Sequence, residues 1–264
     1  MIEIRQVSKS YGRSVVVDDV TITLPPGGIT SIVGANGAGK STLLSMVARL
    51  LPSDSGTITV GGHNVATTPT ADLATVLGIL KQDNGLEIRL TVDDLVGFGR
   101  YPHSKGRRTA SDQVAIDAAI EHMDLVALRD RFLDEMSGGQ RQRAFVAMLL
   151  AQDTTYLLLD EPLNNLDLAH SLSMLRRLRS AADDLGKTIV MVVHDINFAS
   201  AWSDQIVAMK DGRVVLHGPP LEVVNAQMLA DVFGVACPVD TSSGRPIAQY
   251  HLPDTDEQAA RMSA

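Results

Sequence analysis

The chain has 264 residues, of which 45% are hydrophobic and 20% charged, a composition that suits one large globular domain or a domain with a sizeable subdomain. A formal net charge of -8 argues against a generic nucleic-acid binder, and the single cysteine, Cys237, excludes a disulfide within the chain and fits a reducing compartment. Met1 to Arg5 carries no basic stretch before an apolar core, so no secretory leader is expected, and the longest apolar run, Ala144 to Ala151, falls far short of the ~20 residues that span a bilayer.

Ile2 and Ile4, then Val20, Ile22 and Leu24, alternate with polar residues as half-buried strands do, and Pro25-Pro26-Gly27-Gly28 turns the chain. Ile29 to Val33 follows as a buried strand. It runs into a glycine-rich loop, after which a helix is predicted from Lys40 to Leu51, stopped by Pro52. Thr57 to Val60, ahead of Gly61-Gly62, predicts a further strand and turn, and Leu77 to Leu80 is strand-like.

From about Val92 to Leu128 the texture becomes helical, with Val114, Ile116, Ala119, Ile120 and Met123 at helical spacing and a basic loop over Arg100 to Arg108. Tyr156 to Leu159 reads as a strand, a helix runs to about Leu185 and closes at Gly186, and Ile189 to Val193 is another strand. Asp211-Gly212 between two apolar runs signals a hairpin. Strands alternating with helices imply an α/β fold with a mostly parallel core sheet, here with an N-terminal antiparallel β subdomain and a helical subdomain inserted at about 90–150. The expected organisation is one domain over 1–250 and a polar, acidic tail over 251–264, with no internal repeat.

The loop Gly34-Ala35-Asn36-Gly37-Ala38-Gly39-Lys40-Ser41 has the residues of a phosphate cradle, because glycines let successive backbone N–H groups converge on an anion at a helix N-terminus. Lys40 suits the β and γ phosphates and the Ser41 hydroxyl suits Mg²⁺. Leu157 to Leu159 ends in Asp160-Glu161, two adjacent carboxylates that are costly to bury unless a metal, water or cation waits there. Asp160 suits the Mg²⁺ shell and Glu161 the polarisation of an attacking water. A second segment, Ser137-Gly138-Gly139-Gln140, also has the character of an anion site.

These three motifs, with Arg141-Gln142-Arg143 and Pro162, resemble in order and spacing the ATP-binding subunits of ABC transporters from about Met1 to Gly234. The resemblance implies an ABC-type P-loop NTPase fold, with ATP held over Gly34 to Thr42. It implies that Ser137 to Gln140 caps the γ phosphate of ATP bound by a second copy, so that the chain carries two half-sites. It also gives roles to Tyr11 (adenine stacking), Gln82 (a link between Mg²⁺, water and the helical subdomain) and His194 (a switch contacting the γ phosphate), and a dimer contact to Asn165-Leu166-Asp167. Met136 replaces the usual Leu, a swap expected to be harmless.

Finer resemblance in Asn84 to Pro102, in Ala151 to Thr154, in Asp160 to Asp167 and in Val193 to Ala199 is to the ATPases of iron-siderophore importers. That implies a head-to-tail homodimer on the cytoplasmic face of the membrane, bound to permease subunits and indirectly served by a substrate-binding protein. Gly99 to Arg108, with Arg100, Lys105, Arg107 and Arg108, is the candidate coupling surface. Cobalamin or haem import, a non-transport ABC protein, and a soluble P-loop kinase or GTPase are the rival readings. The remaining histidines, His63, His103, His122, His170, His217 and His251, show no metal-ligand spacing.

Overall fold

The computed structural model describes residues 1–82 and 89–250. The resemblance noted over Asn84 to Ile88, and the tail over 251–264, lie outside the described residues. In chain order the elements are β1 (Ile2–Tyr11), β2 (Ser14–Leu24), β3 (Gly28–Val33), α1 (Lys40–Val47), β4 (Ser55–Val60), β5 (His63–Asn64), α2 (Thr70–Val76) and β6 (Leu77–Leu80). Helices α3 (Val92–Phe98), α4 (Tyr101–Ser104), α5 (Ala110–His122) and α6 (Gly138–Ala151) follow, then β7 (Tyr156–Asp160), α7 (Leu168–Asp184), β8 (Thr188–Val192), α8 (Ile196–Trp202), β9 (Gln205–Lys210) and β10 (Arg213–Gly218).

Six strands form the central sheet in the order β10-β9-β3-β8-β7-β6, parallel except for the β9–β10 hairpin. The second sheet is antiparallel, in the order β2-β1-β4-β5. Every residue of β7 and β8 is buried, as befits parallel strands covered on both faces. Successive side chains go opposite ways: Leu157, Leu159, Ile189 and Met191 pack with α5, α6 and α7, whereas Leu158, Val190 and Val192 pack with α1 and the antiparallel sheet. Each such fully buried Leu, Ile or Val contributes roughly 1.5–3 kcal/mol relative to exposure, which fixes the sheet between two cores. Helices α3 to α6 occupy the chain between β6 and β7 and add their own apolar seam to the first core.

Three local expectations are corrected. Helix α1 stops at Val47 rather than Leu51, because Arg49 turns into the left-handed region at φ 56° and spends its guanidinium on Val65 O and Thr70 Oγ1. In α5, Ile116, Ala119 and Ile120 face the core, as does Met123 at its C-cap, but Val114 points outward at 69% exposure. Arg100 is not part of a basic surface: it is 8% exposed, its Nε donates to Asp112 Oδ1 at 2.9 Å and its guanidinium also reaches Ala151 O at 2.8 Å. Arg108 is likewise engaged, donating to Asp93 O at 2.9 Å. Lys105 and Arg107 are the members of that set left to present charge at an exposed surface.

Asp112 completes a capping box with Thr109 at the start of α5, so one carboxylate both caps the helix N-terminus and neutralises a buried arginine. The hydroxyl and backbone N–H of Thr109, then Arg100, hold its carboxyl down from 3.8 to about 2. A depressed carboxylate stabilises the fold above its unfolded pKa and loses that contribution as pH falls through its folded pKa. Asp112→Asn is therefore expected to melt below wild type at neutral pH, with the gap closing between pH 3.8 and about 2 when the two proteins are compared by urea unfolding across pH.

Candidate functional site

The parallel register brings the carboxyl ends of β3, β7 and β8 to one edge: Ile32 lies beside Val192, and Asp160 beside Val192 on the other side. Ligands gather at that edge in open α/β sheets. The chain leaves β3 at Gly34 into the glycine-rich loop, leaves β7 at Glu161, and leaves β8 toward His194. With Leu80 opposite Leu159, β6 delivers exposed Gln82 from the same edge.

Two glycines of the loop are required by close approach. A Cβ on Gly34, whose φ is 149°, would stand 2.2 Å from Met209 O, and one on Gly39, at φ 94°, would stand 2.4 Å from Val16 O. Strand β9 and the start of β2 thus press the loop from two sides. Gly37, Ala35 and Asn36 are exposed at its rim, and Ser41 and Thr42 are half-buried in the first turn of α1.

Lys40 is buried and donates from Nζ to Gly34 O and Ala35 O, both at 2.9 Å, bracing the loop from inside and leaving one of its three protons. Burial pulls its ammonium below the ordinary lysine range, opposed by the charges of Glu161 and Asp160. Asp160 Oδ1 accepts from Ser41 Oγ at 2.8 Å. Burial pushes the Asp160 carboxyl above the usual aspartate range, against the Ser41 bond and the Lys40 charge. The two displacements have one origin, charge held out of water, and each group relieves the other.

Glu161 sits in the left-handed region at φ 53°, a conformation that a non-glycine residue adopts at a cost and that turns its carboxylate off the strand direction. One carboxylate oxygen lies 2.7 Å from His194 Nε2, and the other accepts from the Asn164 side-chain amide. His194 is held through its neighbour Asp195, which caps α8 by accepting from Asn197 N at 2.7 Å and Phe198 N at 3.2 Å, and whose second oxygen accepts from Tyr250 Oη at 3.2 Å. Asn164 carried no assigned role in the sequence. Its position three residues beyond Glu161, within a turn, is the signal that points to it.

Ser137 to Gln140 stands apart on α6. Ser137 Oγ accepts from Gln140 N at 3.3 Å, and Gln140 Oε1 accepts from Ser137 N at 3.1 Å, a capping box. The Ser137 hydroxyl proton is not consumed by that arrangement, and the Gly138 and Gly139 N–H groups belong to the first turn, which has no intrahelical acceptors. Tyr11 is exposed at the end of β1, and no hydrogen bond among the described residues joins Gly34 to Thr42 with Ser137 to Gln140. Met136 is half-buried against the first core.

The ABC transporter family profile matches residues 17–164. The chain belongs to the ABC transporter family. It is an ATP-binding, ATP-hydrolysing subunit of that family with the P-loop cassette fold. The petrobactin import ATP-binding protein YclP of Bacillus subtilis (strain 168) is 49% identical over 250 residues, covering 95% of this chain and 99% of the relative. The petrobactin import ATP-binding protein FatE of Bacillus anthracis is 50% identical over 250 residues, covering 95% and 100%. Among solved structures, the dimeric ATP-binding cassette MJ0796 in a post-hydrolysis state with ADP and Pi matches with a TM-score of 0.73 and 25% identity, covering 83% of this chain and 98% of that one.

Because burial works against the ionised Asp160, Asp160→Asn keeps the acceptor for Ser41 and removes the buried charge. The ligand-free variant is expected to melt above wild type at neutral pH while losing about 10²-fold or more in ATP turnover, checked by thermal denaturation beside a phosphate-release assay. Gly34→Ala is expected to lose nucleotide binding and to lower the melting temperature together, checked by nucleotide titration beside thermal denaturation, since its methyl group meets a backbone carbonyl that has nowhere to go.

Proposed function

We propose that this chain powers a ferric-siderophore importer, with two copies closing head to tail on the cytoplasmic side of a permease. The observation that carries the hydrolytic part is the Glu161 carboxylate, bracketed by His194 and Asn164 at the sheet edge that also presents Lys40, Ser41 and Asp160. The cargo class is supported by the two petrobactin import relatives near half identity over almost their whole length. The assembly is supported by the dimeric cassette to which this fold is similar, and by the placement of the second anion-binding segment on α6, tied to α7 rather than to the glycine-rich loop.

In this reading the loop N–H groups and Lys40 hold the β and γ phosphates, and Tyr11 stacks on adenine. Ser41 and Asp160 fit a hard divalent cation, being a hydroxyl and a carboxylate already 2.8 Å apart; among the described residues no cluster of three acidic, His or Cys ligands offers an alternative. They would hold Mg²⁺ with Gln82 nearby, and Mg²⁺ when bound supplies neutralisation of phosphate charge. Glu161 orients water in line with the γ phosphate, and His194 fixes the Glu161 carboxylate and contacts that phosphate. Ser137, through its free hydroxyl proton, and the N–H groups of Gly138 and Gly139 cap the ATP of the second copy, with Gln140 holding Ser137 in place. Closure then depends on both nucleotides, so ATP binding and hydrolysis bias the permease between conformations.

Among the described residues no helix is long and apolar enough to cross a membrane, and in this reading the chain meets the bilayer through a permease. The exposed rings of Phe98 and Tyr101, with Lys105 and Arg107 beyond them, form the surface we assign to that contact. Periplasmic or surface-anchored capture of the chelate by a binding protein completes the system on the far side.

Glu161→Gln keeps the side-chain shape and removes the base. Its expected behaviour is a loss of ~10²-fold or more in turnover with ATP binding retained, measured in the permease-bound complex; near wild-type hydrolysis would overturn the role of Glu161. Disrupting the gene is expected to stop uptake of at least one radiolabelled ferric siderophore. Unchanged uptake across a panel of catecholate, hydroxamate and carboxylate chelates would refute the cargo class.

A further inference from the structure

Gly138 and Gly139 are adjacent yet meet different surroundings. A Cβ on Gly138 would find nothing within 4 Å, whereas one on Gly139 would fall 2.7 Å from Cδ2 and 3.0 Å from Cγ of His170. Gly139 is buried, lies inside α6 and has no left-handed φ, so its backbone does not call for glycine, which is a poor helix former. The imidazole of His170 calls for it.

His170 stands in the first turn of α7, directly after Asn165-Leu166-Asp167. Asp167 Oδ1 accepts both His170 N at 2.8 Å, as the cap of α7, and His170 Nδ1 at 2.7 Å. The ring is therefore held by the turn that precedes α7 and pressed on the helix that begins at Ser137. Leu166 anchors the same turn on the first core, so the ring's base does not slide. No other side chain of α7 or its turn is placed against the Gly139 Cβ position within the same distance.

We propose that His170 is a positioning residue that locks the Ser137–Gln140 segment to the Asn165–Asp167 turn, so that one subunit offers both to its partner as a single rigid surface. The inference rests on the head-to-tail reading of the assembly. A rigid surface loses less freedom on closing over the partner's ATP than two independent loops, which is the thermodynamic reason for such a lock. It acts through Gly139 and Asp167.

The test uses the full chain in a Glu161→Gln background with Mg-ATP, following dimer formation by sedimentation over a range of protein concentrations, with nucleotide affinity of the dilute monomer and thermal melting measured in parallel. Failure of the background variant itself to dimerise would count against the assembly reading, not only against His170. Given a dimerising background, adding His170→Ala is expected to weaken dimerisation roughly tenfold while monomer ATP affinity and melting temperature hold. His170→Asn, whose Nδ2 can replace Nδ1 against Asp167, is expected to recover most of the loss. Dimerisation unaffected by His170→Ala, a loss shared equally by monomer affinity or melting, or an Asn variant no better than Ala would each overturn the proposal.

Discussion

Lys40 and Asp160 are charges of opposite sign held largely out of water at one end of a parallel sheet, and the neighbouring structure is organised around keeping them there. Neither is in direct contact with the other. Lys40 leans on two loop carbonyls and Asp160 on a serine hydroxyl, so the electrostatic balance runs through the loop geometry. That geometry in turn requires Gly34 and Gly39, because β9 and β2 leave no room for a methyl group. The unfavourable desolvation is offset by β7 and β8, whose residues are buried on both faces. A fold with less apolar burial beneath the site would not keep an aspartate in this condition.

The same edge gives two adjacent carboxylates different surroundings through backbone conformation. Asp160 still belongs to the strand and points with it, but Glu161 takes a left-handed turn, so two consecutive carboxylates face different neighbours. One meets a hydroxyl, the other an imidazole and an amide. Adjacent acidic residues in an extended strand would have pointed to opposite faces of the sheet, one of them into the apolar core.

Much of the fold was legible because its signals are local. Continuous apolar runs mark β7 and β8, Asp211-Gly212 marks the β9–β10 hairpin, and Gly186 closes α7, all from neighbours in sequence. The errors arose where a distant partner decides. Arg100 reads as a surface charge until Asp112 and Ala151 O are seen around it, and α1 reads as longer until Arg49 is found reaching residues some twenty positions on. In the candidate site, the glycine-rich loop and Asp160-Glu161 announce themselves by spacing, and the structure brings them to one edge with His194. Asn164 and His170 do not announce themselves: an amide and an imidazole in a turn acquire meaning only from which carboxylate or glycine the turn brings near.

Helix α8 is short, begins at the cap formed by Asp195 and ends at Trp202, the chain's single tryptophan, half-buried against the first core. An indole at the far end of the helix headed by His194-Asp195 makes the native protein its own optical sensor. Displacement of that helix changes the polarity around one fluorophore, against no background from another tryptophan of the chain, so motion at its His194 end can be followed by intrinsic emission in unlabelled protein.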